Sequence, residues 1–349
     1  MRVPTGGIGA VAGAGILAAA LLAAVAGTAF SQAAQPGGPT GVPSGSPAGA
    51  PSGSPTEAPL QVGLMPAYNS IPLVVADAAG LFRAQGVSVT LVPFSGQLER
   101  ESALQAGALD GTVSDLMNAM QSWRHGSGVR VTSVTEGSFS LLASPSGRLS
   151  SLGDWPRGSE AKVRTGLLEN SIVYYLTERM LAAGAADVSK VDLVPIVQLP
   201  ARMEMLLAGR IDAACLPEPL ASLAVARGAR RLADSDAMGT TPGVLLFTRR
   251  ALAEKRAQID AFYRAYDAAV EVVNAHPSAW KDAVVKGCDF PPSVAGVLRL
   301  PRFRRHFLPP PALVRDVGHW MIDKGLLDRA PRFEEIVTPD FASQDARAD

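Results

Sequence analysis

The sequence has 349 residues, with 32 basic and 32 acidic side chains and a hydrophobic content of 47%. This balanced charge excludes the basic footprint of a nucleic-acid-binding protein, and the two cysteines exclude a disulfide-rich scaffold or a four-cysteine zinc site. Without the segment before residue 60, roughly 290 residues remain, a length that suggests two domains because single hydrophobic cores stop growing at about 250–300 residues.

The first segment, residues 1–33, has the features of a secretory signal peptide. Arg2 is followed by an uncharged stretch from Ile8 to Phe30, and small residues suited to cleavage lie around Ser31. A basic start, a short apolar centre and small residues beyond it are typical of such signals. We therefore expect a periplasmic or otherwise extracytoplasmic protein. An uncleaved membrane anchor is the alternative, because the uncharged stretch is long enough to cross a bilayer.

Residues 34–59 are predicted to be a disordered linker. A proline occurs at every fourth position from Pro39 to Pro59, and the residues between are mostly Gly, Ser, Ala and Thr. Such a composition buries too little apolar surface to offset the entropy of the chain. The folded part is therefore expected to begin near residue 60.

The folded part contains an internal repeat. The pentapeptide VTLVP at residues 89–93 is matched by VDLVP at 191–195, and LQAGALD at 104–110 is matched by LLAGRID at 206–212. Asn-Ser-Ile at 69–71 recurs at 170–172. The three matches keep the same order and nearly the same offset. A period of about a hundred residues is too long for a solenoid unit, so the repeat predicts two related lobes.

Strands and helices alternate in each predicted lobe. The predicted strands cover residues 60–65, 87–92 and 109–113, then 162–168, 191–197 and 211–215; the predicted helices cover 70–82, 99–105, 171–183 and 201–208. This order is typical of an α/β fold in which each lobe is a mainly parallel sheet flanked by helices.

The remaining segments connect the lobes and complete the first one. The apolar runs 140–144 and 243–248 are predicted to carry the chain between the lobes. Long helical patterns at 251–275 and 312–324 are placed on the first lobe. The predicted domain boundaries are therefore 60–143 and 245–349 for lobe 1, and 144–244 for lobe 2.

Several segments resemble periplasmic solute-binding proteins of the nitrate/sulfonate/taurine ABC-transporter class, relatives of thiamine-pyrimidine precursor binding proteins and synthase. They are residues 71–82, 104–110, 206–212, 216–219 (LPEP) and 320–327 (WMIDKGLL). The resemblance implies a two-lobed periplasmic-binding-protein (venus-flytrap) fold that delivers a small solute to a membrane permease driven by an ATPase. It implies no enzymatic activity, since the cysteine cluster of the synthase branch has no counterpart.

Candidate ligand-binding residues lie where predicted strands end, because ligands of parallel sheets bind there. Asn69 and Ser70, and their repeat partners Asn170 and Ser171, are the best helix caps of their lobes. Their helices would offer free N–H groups to a ligand. Capping alone is the alternative interpretation of these side chains. Tyr68, just before the first pair, is a candidate for stacking on a flat ligand.

One further serine and four carboxylates also occupy the predicted strand ends. The candidates are Ser114, Asp115, Glu136, Glu169 and Glu218. As alternatives, Asp115 would cap a helix and Glu218 would form a salt bridge between the lobes.

Two repeat-related arginines, Arg100 and Arg202, are predicted in the first turns of helices, where a cation opposes the helix dipole. We interpret them as neutralising the cleft carboxylates, which leaves a site for a small polar heterocycle such as a pyrimidine. The alternatives are an anionic ligand held by the arginines, and salt bridges to Glu101 or Glu204.

No motif predicts catalysis. The sequence contains no G-x-S-x-G elbow, P-loop or H-E-x-x-H, and its four histidines are scattered, so we expect no cofactor and no metal. Cys215 is predicted to be a buried thiol, with a disulfide to Cys288 as the alternative. The expected partners are a small solute and a permease, without nucleic acid, and the expected state is a monomer. The alternative function is an extracytoplasmic enzyme or a ligand-sensing domain on the same fold.

Overall fold

The computed structural model describes residues 58–239 and 242–341, which form ten strands in two sheets. They belong to one folded unit, Ser54–Asp349. The predicted signal peptide, the alternative membrane anchor and the linker up to residue 57 lie outside the described residues. Among the described helices, none combines the length and the apolar character needed to cross a membrane.

The strands are β1 (Leu60–Leu64), β2 (Val89–Pro93), β3 (Gly111–Asp115), β4 (Val129–Val134), β5 (Phe139–Ala143), β6 (Val163–Leu167), β7 (Val191–Pro195), β8 (Ala213–Pro217), β9 (Arg230–Asp234) and β10 (Gly243–Thr248). The first sheet has the order β2-β1-β3-β10-β4 and the second has the order β7-β6-β8-β5-β9. In each sheet four strands point the same way, and β10 or β5 runs opposite to its neighbours.

The helices are α1 (Ile71–Ala78), α2 (Leu81–Ala84), α3 (Gln97–Gln105), α4 (Leu116–Arg124), α5 (Ile172–Ala183), α6 (Leu199–Leu207), α7 (Leu220–Ala226), α8 (Arg249–Glu254), α9 (Arg256–Ala275), α10 (Lys281–Gly287), α11 (Pro311–Asp323) and α12 (Phe333–Ile336). Helices α5–α7 accompany the second sheet, and the others accompany the first. We call these two assemblies the second lobe and the first lobe. The predicted helix 70–82 is divided because Gly80 has a φ of 69°, a left-handed conformation that ends α1.

The repeat seen in the sequence is a structural repeat. The paired strands β1–β2 and β6–β7 have equivalent registers, with Leu60 opposite Val89 and Val163 opposite Val191. The aspartate that ends each LxAGxxD segment accepts a hydrogen bond of 2.9 Å from a backbone N–H of the first strand of its lobe, Asp110 from Gln61 and Asp212 from Arg164. The α/β fold with two related lobes is therefore confirmed.

The two apolar runs assigned to the crossings are themselves strands of the sheets. β5 pairs with β8 and β9 in the second sheet, although the predicted boundary placed it in lobe 1. β10 pairs with β3 and β4 in the first sheet. The chain therefore crosses between the lobes just before each run, between β4 and β5 and again between β9 and β10. A fully buried strand and a buried connection have the same apolar sequence, so the pattern alone did not separate them.

The carboxyl-terminal helices complete the first lobe, as predicted. α9 packs on α1 and α2, where Phe262 is fully buried and stacks on Phe82 at a ring distance of 5.5 Å. α11 packs on α4.

α11 also reaches the second lobe. Asp316 of α11 accepts a hydrogen bond of 2.6 Å from the hydroxyl of Tyr175 and bonds of 2.8 and 3.1 Å from the guanidinium of Arg179, both on α5. Trp320 of α11 donates through Nε1 to Glu178 of α5 at 2.7 Å. These contacts hold the two lobes together beside the cavity described below.

Candidate functional site

A cavity of about 110 Å³ lies between the two lobes; we call it the interlobe cavity. The first lobe lines it with Arg100 and Asp115, and the second lobe with Ser171 and Arg202. Because one ordered water needs about 10–15 Å³ on the same measure, the cavity accommodates a solute of a few heavy atoms. Apolar side chains cover much of the wall: Met65, Phe139, Leu168, Ile172, Val173, Val197 and Leu199.

Arg202 is a buried cation without a carboxylate partner among the described residues. Arg202 belongs to α6, and the residue is only 1% exposed. The guanidinium donates to the carbonyl oxygen of Ile196 at 2.6 and 3.2 Å and to that of Cys215 at 3.1 Å, which uses three of its five N–H groups. Burial lowers its pKa to about 10, so it stays protonated at neutral pH. Burying an unpaired charge costs several kcal/mol, on the order of the desolvation penalty of an ion.

Arg100 has the equivalent position in α3 but a different environment. It is 4% exposed, and its Nη2 lies 2.7 Å from Oε1 of Glu101 and 3.1 Å from the hydroxyl of Ser114. The alternative salt bridge to Glu101 is therefore confirmed. The matching bridge from Arg202 to Glu204 is wrong, because Glu204 pairs with Arg227 on the surface. The interpretation that the arginines neutralise the cleft carboxylates is wrong for Arg202, which bonds to carbonyl oxygens, whereas Arg100 does lower the pKa of the cleft residue Asp115.

Asp115 both caps a helix and lines the cavity. It is the last residue of β3 and the N-cap of α4, and it accepts bonds from the backbone N–H of Asn118 at 3.0 Å and from Nδ2 of Asn118 at 2.8 Å. The residue is 6% exposed. Burial raises its pKa to about 6, with smaller opposing contributions from the Asn118 hydrogen bond and from Arg100.

Helix amino termini converge on the same cavity. Ser171 is the N-cap of α5, and the cavity wall continues over the next two residues, whose backbone N–H groups begin the helix. Gly96 and Gln198 are the N-caps of the repeat-related α3 and α6, and a Cβ on Gly96 would lie 3.6 Å from Nε2 of Gln198. Amino termini of helices carry partial positive charge and free donors, which suit an anion.

The predicted cap residues have other roles. Ser70 and Ser171 occupy N-cap positions, but their hydroxyls make no capping bond; they donate to the carbonyl oxygens of Met65 and Leu168. Asn69 lies inside a short 3₁₀ turn and lines the interlobe cavity, where its Oδ1 is buried without a hydrogen-bond partner. Asn170 is exposed and has a φ of 57°, so it forms the turn before α5 and does not line the cavity.

Three predicted site residues lie together elsewhere. Tyr68, Glu136 and Glu218 line a second cavity of about 370 Å³ beside the crossings between the lobes. The hydroxyl of Tyr68 donates to the carbonyl oxygen of Arg299 at 2.6 Å, and burial raises its pKa to about 12. Glu136 pairs with Arg304.

Glu218 accepts bonds from Arg231 at 2.8 Å and from the backbone N–H of Ser222 at 3.0 Å. Arg231 is on β9 of the same lobe, so the expected salt bridge between the lobes is wrong. Glu169 is exposed and lines neither cavity. The structure thus brings Asn69, Ser114, Asp115, Ser171, Arg100 and Arg202 together, and it separates the other predicted residues from them.

The turn that precedes α3 lines the cavity but was not among the site residues predicted from the sequence. Ser95, Gly96 and Gln97 line the interlobe cavity, as do their repeat partners Val197 and Leu199. Arg100 and Arg202 are 102 residues apart, and the same offset relates Ser95 to Val197 and Gln97 to Leu199. Extending the repeat a few residues towards the amino terminus would therefore have indicated this turn.

Cys215 and Cys288 are free and buried, so the prediction of a buried thiol is confirmed and the disulfide alternative is wrong. Burial raises the pKa of Cys215 to about 11. Within the part of the chain that the structure describes, no group of three or more His, Cys, Asp or Glu side chains is arranged to hold a metal ion.

Comparison with known proteins identifies the family. Residues 53–286 match the model of the NMT1-like family, and the chain belongs to this family. No curated protein matches the sequence.

Solved structures with the same fold include binding proteins and an enzyme. The zinc-bound ligand-binding component of an ABC-type import system from Staphylococcus aureus is 17% identical, with a TM-score of 0.68 over 83% of this chain and 99% of that one. The alkanesulfonate-binding protein SsuA from Xanthomonas axonopodis, bound to MOPS, is 18% identical, with a TM-score of 0.64 over 83% and 99%. The desulfurization enzyme DSZB is 17% identical, with a TM-score of 0.59 over 81% and 96%. The resemblance to the nitrate/sulfonate/taurine class and the periplasmic-binding-protein fold are confirmed.

Proposed function

We propose that this member of the NMT1-like family is an extracytoplasmic receptor that captures a small organic anion in the interlobe cavity and delivers it to the permease of an ABC importer. The single observation that carries the proposal is Arg202. This residue is 1% exposed, lines the cavity and has no carboxylate partner for its guanidinium in the described part of the chain. An anion bound there would supply the missing countercharge, and the helix termini at Ser171 and Gly96 would add N–H donors.

The rest of the wall supports an organic solute. Phe139, Ile172 and Val173 present apolar surface to the cavity, which suits a short hydrocarbon segment attached to the anionic group. The structures of an import component and of an alkanesulfonate-binding protein with this fold are consistent with such a ligand. A compound such as ethanesulfonate has the size and charge that the site requires.

Binding is favoured over catalysis by the composition of the wall. The described residues that line the interlobe cavity include no histidine, cysteine or lysine, and the carboxyl group of Asp115 is already bonded to Asn118 as the cap of α4. The thiol of Cys215 lies outside the wall, and its raised pKa keeps it protonated. Recovery of unchanged ethanesulfonate after long incubation with the protein would support a receptor, whereas its conversion to a product would support an enzyme on this fold.

The proposal is tested by calorimetric titration of ethanesulfonate into the wild-type protein and the variant Arg202→Gln. We expect the variant to lose at least about a hundredfold in affinity, roughly 2.7 kcal/mol, because a charge-assisted pair is removed. Arg227→Gln is the matched control, since this arginine belongs to the same lobe and pairs with Glu204 on the surface. It is expected to bind like the wild type.

Folding and ligand type are controlled in the same series. The melting temperature of Arg202→Gln, and of Arg202→Met, shows whether the carbonyl oxygens of Ile196 and Cys215 tolerate the loss of their donor. A neutral pyrimidine is titrated in parallel. Unchanged ethanesulfonate binding by a folded Arg202→Gln, or binding of the pyrimidine alone, would overturn the anion site.

A further inference from the structure

Asp115 faces the interlobe cavity without an ion-pair partner in the described residues. Its two carboxyl oxygens accept bonds from Asn118, at 3.0 and 2.8 Å, the backbone N–H of Met117 adds a weaker contribution, and the residue is 6% exposed. A carboxylate and the cation of Arg202 are thus both buried in the wall of one cavity, on opposite lobes. A carboxylate in that position repels the anion that Arg202 attracts.

The charges that face Asp115 can be counted element by element. α3 contributes Arg100 and Glu101, which lie 2.7 Å apart and have no net charge together, although Arg100 has the larger effect on Asp115 and lowers its pKa. α4 contributes the uncharged Asn118, and β10 contributes Gly243 opposite Asp115 in the sheet. The second lobe contributes Arg202 across the cavity. With Asp115 ionised these groups sum to zero, and with Asp115 protonated they sum to one positive charge.

Burial already places the titration of this group near neutral pH. Desolvation is the largest cause of its raised pKa, about 6, and an anion arriving in the same cavity raises that pKa further. The N-cap is kept when the carboxyl group of Asp115 is protonated on Oδ2, because Oδ1 still accepts the bond from the backbone N–H of Asn118.

We propose that the protein takes up one proton together with an anionic solute, and that Asp115 is the group that receives it. The inference rests on the proposed function, because it concerns the same anion. It makes Asp115 a specificity-determining residue: the protonated form admits a simple anion, and the ionised form disfavours it. Affinity for a monoanion then falls with rising pH, by up to about tenfold per pH unit between the pKa of Asp115 in the free protein and its higher pKa in the complex.

The experiment measures ethanesulfonate binding from pH 5.5 to 8 by calorimetry, with the wild type, Asp115→Asn and Asp115→Ser. Asparagine and serine are both good N-caps, so the helix start is preserved while the titrating group is removed. Titrations in phosphate and in Tris at pH 7.5 count the protons taken up, because these buffers release protons with different heats. Asp328→Asn, at a side chain that is 97% exposed, is the matched control.

We expect close to one proton taken up by the wild type and the control, a steep loss of affinity with rising pH in both, and neither effect in the Asp115 variants. At pH 8, two units above the pKa of about 6 in the free protein, the Asp115 variants should bind up to about a hundredfold tighter than the wild type. The same pH dependence in the wild type and the variants overturns the role of Asp115, as does pH-independent wild-type binding. If no protein binds ethanesulfonate at any pH, the receptor proposal itself is overturned, and this inference with it.

Discussion

Arg100 in the first lobe and Arg202 in the second occupy the same position of the internal repeat, yet they differ in their partners. Arg100 is paired with Glu101, the next residue along the chain. The residue after Arg202 is Met203, which offers no charge, and within the described residues Arg202 bonds to backbone carbonyl oxygens alone. One change in the neighbouring residue therefore separates a neutralised pair from an uncompensated cation.

The two lobes also differ in the charge that their equivalent strand ends contribute to the cavity wall. The first lobe adds the carboxyl group of Asp115 at the end of β3, whereas the equivalent strand β8 ends at Pro217. Glu218, the next residue, lines the second cavity and pairs with Arg231. The duplicated scaffold thus supplies the helix termini on both sides, while single residue differences leave an arginine without a carboxylate partner on one side and a buried carboxyl group on the other.

The largest expected effect concerns the titratable side. We compare the free energy of unfolding of ligand-free Asp115→Asn with that of the wild type. The difference in favour of Asp115→Asn should be larger at pH 7.5 than at pH 4, by up to about 3 kcal/mol. The pKa of Asp115 is raised from 3.8 to about 6, so the folded state binds more protons than the unfolded state between these values. The stability contribution is present below about pH 4 and is lost as the pH rises through 6, at roughly 1.36 kcal/mol per pKa unit.

Urea unfolding of both proteins at several pH values measures this difference. Other carboxyl groups are common to the two proteins and cancel. A difference in stability that stays constant from pH 4 to 7.5 would contradict the raised pKa.

A smaller effect should follow from making the two arginines alike. Glu101→Gln keeps an acceptor for Arg100 but removes the countercharge, so Arg100 becomes uncompensated like Arg202. We expect the affinity for ethanesulfonate to rise about tenfold, or roughly 1.4 kcal/mol, the size of a unit charge at about 10 Å in an effective dielectric near 20. Calorimetry measures it, with Glu99→Gln on the exposed face of the same helix as the control. An unchanged affinity would show that Arg100 does not face the bound anion.

The smallest effect on binding is expected at Asn170. Asn170→Ala should leave ethanesulfonate affinity within about twofold and cost roughly 1 kcal/mol of stability, because its φ of 57° is strained for alanine. Asn170→Gly should restore the stability. Asn69→Ala, at the repeat-related position that lines the cavity, should weaken binding several-fold. Thermal melts and calorimetry separate the two effects, and a large loss of affinity in Asn170→Ala would place this residue in the site after all.

The fold class and most of the secondary structure follow from local sequence patterns. The repeated segments at 89–93 and 191–195 are β2 and β7, and the glycines after the second helix of each lobe end α3 and α6. These features depend on residues close in the chain: apolar periodicity, glycine conformation and strand propensity. The offset of 102 residues also identified Arg100 and Arg202 as related, and both line the cavity.

Which of the buried charged groups lack an ion-pair partner depends on the tertiary structure. Glu101 is one residue from Arg100, but whether Arg202 has a partner depends on every side chain folded around it, from Ile196 to Cys215. Asn69 and Asn170 have the same local sequence, yet one lies inside a 3₁₀ turn and the other has a left-handed backbone. Burial, and with it the electrostatic free energy of a group, is set by contacts between segments far apart in the chain, so local patterns located the candidates and the packing assigned their roles.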